Sequence, residues 1–234
     1  MARPWKTLDA VDTEAGELAL RQRGADEFLI VLAGRVLMNS AASRSEVALA
    51  RIACAGLAGR AAPRVLLGGL GMGCTLRAAL DALPAAACVV VVELHEAVLR
   101  WCRGPLAGLT RHAVDDPRVE LRIGDVAAAI REAAAPGGTR LDAVLLDLYE
   151  GPHPASQPRD HPHYGAAALA RTRAALRPDG ILAIWSEAPD PLFERELGRA
   201  GFSLRRERPG RGGRRHAVYL ASVRQQAGSS ERSG

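Results

Sequence analysis

From Arg64 onward the chain alternates apolar runs with helix-compatible stretches, and that alternation leaves few folds open. "RVLLGG" and "ACVVVVEL" are continuously apolar, as strands buried on both faces are. "RVELRIG", "LDAVLLDL" and "GILAIWS" complete a set of five. Between them, residues 75–83, 95–106, 126–133 and 165–176 carry helical spacing, and "RPDG" at 177–180 reads as a turn before the fifth strand. Repetition of this kind predicts a parallel sheet with crossover helices. A further helix near 191–200 precedes "GFSLRRER" and "RHAVYLAS", two strands joined by the glycine-rich "PGRGG". The expectation is an α/β, Rossmann-like sheet, mostly parallel, of seven strands closed by a C-terminal antiparallel hairpin.

The first sixty residues have another rhythm. "GELALRQR", "EFLIVLAG" and "RVLMNS" are short alternating strands bounded by Gly and Asp, which predicts a small antiparallel β appendage. A helix follows over 45–57, with Ser45 placed as its cap and Glu46 as a first-turn acid. The expected division is a β region over 1–44, a nucleoside-binding catalytic region over 45–222 and a disordered tail over 223–234, the last from its small polar residues. At 234 residues and 48% hydrophobic content, the chain can bury a full core.

Charge and cysteine usage narrow the function classes. The net charge of +5 comes largely from "RRERPGRGGRR" and the tail, and these arginines have no interleaved aromatics on which bases would stack, so no nucleic-acid partner is expected. The four cysteines are widely spaced, without C-x-x-C, which argues against a structural zinc or a disulfide framework. His153, His161 and His163 lie in the proline-rich "HPASQPRDHPHY", which reads as a loop over the site and not as a metal centre. No run is long enough to span a membrane and the N-terminus turns acidic early, so a cytoplasmic protein is expected.

The chemistry concentrates where strands end. In "VLLGGLGMGCTLRAAL", Gly69, Gly71 and Gly73 let the backbone turn tightly and let a ligand approach it. Glu93 closes the next strand, followed by Leu94; a carboxylate there accepts from both hydroxyls of a ribose, or else caps the helix starting at His95. Gly124 and Asp125 end a third strand, and Asp125 either reads an exocyclic adenine amine or caps the next helix. In "LLDLYEGPHP" an apolar strand delivers Asp147, then Tyr149 and Glu150, to the edge at which open parallel sheets bind ligands. Asp147 there is placed either as a base or as a partner for its own loop.

In that order and spacing, "VLLGGLGMG..LR", "VVVEL", "DDPRVELRIGD", "LDAVLLDLYEGP" and "ALRPDGILAIWS" resemble the spermidine synthase family of polyamine aminopropyltransferases, built on the class I S-adenosylmethionine-dependent methyltransferase fold. The resemblance runs from "FLIVLAGRVLMNS" to "VYLAS". It implies that Gly69, Gly71, Met72, Gly73, Glu93, Leu94, Gly124, Asp125 and Asp147 line the site of a sulfonium nucleoside, with Asp147 at the reacting centre beside Tyr149 and Glu150. Glu46, retained from the family's N-terminal acidic group, is expected to face an amine acceptor, and Tyr164, at the start of a helix, either reaches that acceptor or packs. No metal is expected to take part, and a homodimer is expected.

The sequence departs from the family pattern in specific places. Met72 stands where the loop usually carries an Asp for the donor's ammonium, and only Glu46 survives of the N-terminal acidic and Tyr-His group. Gln is missing from the strand ending "RVLMNS", and Glu150 replaces the second acid after Asp147. Three readings follow: aminopropyl transfer from decarboxylated S-adenosylmethionine, methyl transfer from S-adenosylmethionine with Arg77 or a loop amide pairing the donor carboxylate, and nucleoside binding without catalysis.

Overall fold

A computed structural model of the chain describes residues 3–149, 151–153, 157–209 and 216–224. Glu150, the centre of the glycine-rich hairpin link and the tail beyond Arg224 lie outside the described residues.

Four strands come first, β1 (Lys6–Thr13), β2 (Gly16–Arg23), β3 (Glu27–Leu32) and β4 (Arg35–Asn39), paired as an antiparallel meander. Sequence reasoning found three; β1 escaped because it is an exposed edge whose Leu8 faces solvent. Leu18, Leu20, Phe28 and Ile30 pack into the same core cluster as Val65 and Leu67 of the large sheet, so the meander is seated on the rest of the molecule. The helix α1 (Arg44–Cys54) follows, with Ser43 as its N-cap. Ser45, expected as the cap, lies inside the first turn with its hydroxyl directed elsewhere.

The large sheet then builds as β5 (Arg64–Gly68), α2 (Cys74–Ala82), β6 (Cys88–Glu93), α3 (Glu96–Arg103), β7 (Val119–Ile123), α4 (Val126–Ala134), β8 (Leu141–Leu146), α5 (Ala166–Ala175) and β9 (Leu176–Ser186). It closes with α6 (Pro191–Arg199), β10 (Phe202–Glu207) and β11 (Ala217–Val223). Strand order is β10-β11-β9-β8-β5-β6-β7, with β5 to β9 parallel and β10 and β11 antiparallel. Two-residue periodicity sends alternate side chains to opposite faces. Val65, Leu67, Val89, Val91, Ala143 and Leu145 enter one core; Leu66, Val90, Val92, Val144 and Leu146 enter the other.

The "RPDG" stretch is folded into β9, yet it does turn. Leu176 pairs with Leu141 and Ile181 with Ala143, so residues 177–180 leave the ladder between those two contacts. Below them Asp142, 3% exposed, is held by the Arg60 guanidinium and by the Arg64 N–H at 2.7 Å, with Arg177 at 3.4 Å. Among the described residues no helix is long and apolar enough to cross a membrane.

Candidate active site

Because β8, β5, β6 and β7 are neighbouring parallel strands, their carboxyl ends lie in a row. Asp147, the 69–73 loop, Glu93 and Asp125 therefore stand side by side across three strand spacings, about 15 Å. That length suits a nucleoside with a short side chain.

The loop after β5 is a tight turn, closed by the Gly73 N–H donating to the Leu70 carbonyl at 2.8 Å. Gly69 has φ +86°, and a Cβ there would lie 2.4 Å from the Asp147 carbonyl oxygen. The glycine thus lets the β5 and β8 loops touch. Met38 of β4 rests its sulfur over Gly71 from the other side. Met72 is 1% exposed and belongs to the core cluster, so its side chain points away from the row. Arg77, considered as a partner for a donor carboxylate, pairs with Asp81 at 2.8 Å.

Glu93 is 7% exposed and both its carboxylate oxygens are engaged: Oε2 accepts from the Leu70 N–H at 2.8 Å and Oε1 from the His95 N–H at 2.9 Å. It therefore ties the glycine loop to the start of α3. Each oxygen keeps a second lone-pair direction for a hydroxyl. Asp125 caps α4 through the Ala127 N–H at 2.9 Å and also meets His163 Nε2 at 3.0 Å. Burial pushes its carboxyl up, but the His163 and Ala127 contacts outweigh that and hold it below the usual range. Leu94 and Ile123, 63% and 50% exposed, stand beside these acids as an apolar shelf for a flat ring. Ile123 was not singled out in the sequence, although an apolar residue just before Gly124 is the available signal.

Asp147 is different. Its backbone N–H continues the ladder to the Gly68 carbonyl at 2.9 Å, while its carboxyl accepts the Thr75 hydroxyl from the first turn of α2. Burial pushes this carboxyl up, Glu46 on α1 pushes it further, and Thr75 pulls it down, leaving it at about 7. Among the described residues no cation pairs with it. A carboxyl poised there exchanges a proton near neutrality, as a general base must. Glu46 and Asp147 also act together on Cys74, whose thiol burial raises to about 11.

The remaining candidates have structural partners. Tyr149 lies under the Arg35 guanidinium, 5.2 Å from ring centre, which links it to β4. Tyr164 is 5% exposed, stacked on His161 at 5.0 Å and edge-on to Phe193, so it sits in the second core. The four cysteines are free, and among the described residues no group of three or more side chains could hold a metal ion. Thr75 and His216 were not singled out in the sequence, and Ser45 was read there only as a helix cap, because their contacts lie far apart in the chain.

No family profile matches the chain. It is 35% identical over 121 residues to polyamine aminopropyltransferase 1 of Hyperthermus butylicus, a match covering 51% of this chain and 39% of that protein. It is 31% identical over 112 residues to the polyamine aminopropyltransferase of Nitrosomonas europaea, covering 47% and 32%. The matched region thus spans about two-fifths or less of these curated relatives. Among solved structures, a spermidine synthase in complex with the transition-state analogue AdoDATO superposes with TM-score 0.69 at 16% identity, over 93% of this chain and 72% of that one. The Thermotoga maritima spermidine synthase gives 0.68 at 17% identity with the same coverage. Human methyltransferase-like protein 13, in complex with SAH, gives 0.57 at 20% identity over 80% of this chain and 83% of that one. By sequence over about half its length the chain is similar to polyamine aminopropyltransferases, and by fold over most of it to spermidine synthases and to a methyltransferase-like protein.

Proposed function

We propose that the chain transfers an aminopropyl group from decarboxylated S-adenosylmethionine to an amine acceptor. The observation that carries this reading is Asp147 at the carboxyl end of β8, its backbone carbonyl against the glycine loop and its carboxyl on the Thr75 hydroxyl, raised to about 7 by burial and by Glu46. An ammonium has no lone pair with which to attack. Asp147 takes its proton, the amine nitrogen bonds to the propyl carbon next to sulfur, and the carbon–sulfur bond breaks to leave a neutral thioether. Such proton transfer contributes about 10² to 10⁴-fold.

Glu93 would accept the ribose hydroxyls with its remaining lone pairs, Asp125 the adenine amine, and Leu94 with Ile123 would cover the ring. Amine attack on a sulfonium carbon needs no Lewis acid, so the proposal assigns no metal. It places this chemistry in residues 45–222 with the N-terminal meander as a roof, and takes the protein to be a cytoplasmic homodimer without a nucleic-acid partner. Methyl transfer is the second reading, favoured by the absence of an acid from the loop, where Met72 is turned into the core. Against it, Arg77 is already paired with Asp81 and so is not free to hold a donor carboxylate.

Isothermal titration with S-adenosylmethionine and its decarboxylated form, side by side, tests the choice. Tighter binding of the decarboxylated donor, with an aminopropylated amine found by mass spectrometry, supports the proposal. Tighter binding of the carboxylated donor with methylated product overturns it.

A further inference from the structure

β11 runs antiparallel to β9, so its first residue, Ala217, pairs with Ser186 at the last residue of β9. The residue before it, His216, is thereby returned to the ligand edge of the sheet. Its ring stands edge-on to Trp185 at 5.1 Å, and its Nδ1 lies 3.0 Å from the Ser45 hydroxyl oxygen. Ser45 is 5% exposed and donates to Glu46 Oε2 at 2.7 Å. A serine hydroxyl has one proton. Since that proton goes to the Glu46 carboxylate, His216 Nδ1 must carry the proton that reaches Ser45. The direction of both bonds is fixed, from β11 through α1 to a carboxylate that acts on Asp147.

Glu46 sits in the first turn of α1 and, on its own, has the rotamer freedom of any half-buried glutamate. Ser45 and the Trp185-backed imidazole remove that freedom. We propose that His216 is a positioning residue for the acceptor amine, acting through Ser45 to hold the Glu46 carboxylate beside Asp147. This rests on the amine-transfer reading above. Held there, Glu46 supplies a second negative group to the incoming ammonium and keeps Asp147 a stronger base. A tie whose only task was to fasten α1 to β11 would not need an imidazole aimed at the neighbour of the acid.

The test combines kinetics with a readout that needs no turnover. With saturating decarboxylated S-adenosylmethionine, and whichever of propylamine, putrescine, cadaverine and spermidine turns over fastest, H216A should raise KM for the amine about tenfold, the effect of losing one charge-linked hydrogen bond. Donor affinity should be unchanged. S45A should do the same, the double variant should be no worse than either, and H216N, which keeps a donor near Nδ1, should recover most of the loss. Nitrogen-15 NMR of histidine-labelled protein at pH 8 should find His216 protonated on Nδ1, and S45A should abolish that preference.

Unchanged amine KM in H216A or additive effects of H216A and S45A would overturn the role, and so would an Nε2-protonated His216. If H216A fails to fold, S45A and H216N carry the same test. Absence of transfer by the wild-type chain would overturn the amine-transfer reading and the role together, whereas transfer with an indifferent His216 would overturn the role alone.

Discussion

An aspartate stands near each end of β8, buried at one end and half-buried at the other, and the two are treated in opposite ways. Asp142, at its amino end, is surrounded by the Arg60 and Arg177 guanidinium groups and the Arg64 N–H. Asp147, past its carboxyl end, has a neutral hydroxyl and a like charge, and burial drives it to about 7. The same kind of side chain is a fastener paired with cations at one end of the strand and, at the other, an acid whose side-chain partner is a neutral hydroxyl. Stability has been built at the amino edge and left unbuilt at the carboxyl edge, the pattern expected where a charge is kept for chemistry.

The largest break in the comparison comes from neutralising each aspartate. Asp147→Asn should lower kcat/KM at least about 10²-fold while donor binding measured by titration stays within a few-fold. The same variant should be more thermostable than wild type at pH 8. Unfolded Asp147 loses its proton near 3.8 and the folded residue only near 7, so between these values the unfolded state binds fewer protons and wild-type stability falls as pH rises. The stability advantage of Asp147→Asn should therefore be full above pH 7 and vanish below about 4; an advantage that persisted at low pH would contradict this account. Asp142→Ala should do the reverse, costing about 1 to 3 kcal/mol in denaturant unfolding because it leaves the Arg64 N–H and the partly exposed Arg60 and Arg177 guanidinium groups without this acceptor, with donor affinity unaltered.

Glu93→Ala tests the donor side. It leaves two backbone N–H groups without their acceptor, at about 1 to 3 kcal/mol each, and should both destabilise the chain and weaken donor binding by 10-fold or more. A stability loss with donor affinity intact would reduce Glu93 to a loop fastener. Smaller still are two opposed shifts in the acid limb of the pH–rate profile. Glu46→Gln should move it down from about 7 and Thr75→Val should move it up, each by roughly half a unit to one unit. Movement of both in the same direction would mean that Asp147 is not the group titrating. The smallest effect is at Asp125, where His163→Ala leaves Oδ1 to the Ala127 N–H and should tighten donor binding by no more than a few-fold.

How much of this was legible in sequence follows from the range of the contacts. The β5 to β9 frame could be read because the central parallel strands β5, β6 and β8 are almost wholly apolar and helix-compatible stretches separate them from the flanking strands. Glu93 and Asp125 could be located because their first partners are local, His95 and Ala127. Thr75 to Asp147 and Ser45 to His216 span 72 and 171 residues, and nothing in local spacing announces such pairs. β1 was missed for the opposite reason: as an outer strand tied down by the Trp101 indole donating to Asp9 at 2.7 Å, it does not need the apolar pattern that marks a strand. Tyr164 looked like an acceptor contact because of its place at a helix start, but its ring fills the core beside Phe193.

The contact between Gly69 and the Asp147 carbonyl limits how the cleft can change over generations. Any side chain at 69 would have to push the backbone of Asp147, so variation at this seam is filtered through the placing of that carboxyl as well as through folding. Ser45, Glu46 and His216 belong to a helix and a hairpin that do not share that seam. On the amine-transfer reading, drift in the preferred acceptor is therefore channelled to the far edge of the sheet, where residues can be exchanged while the glycine loop and Asp147 stay fixed.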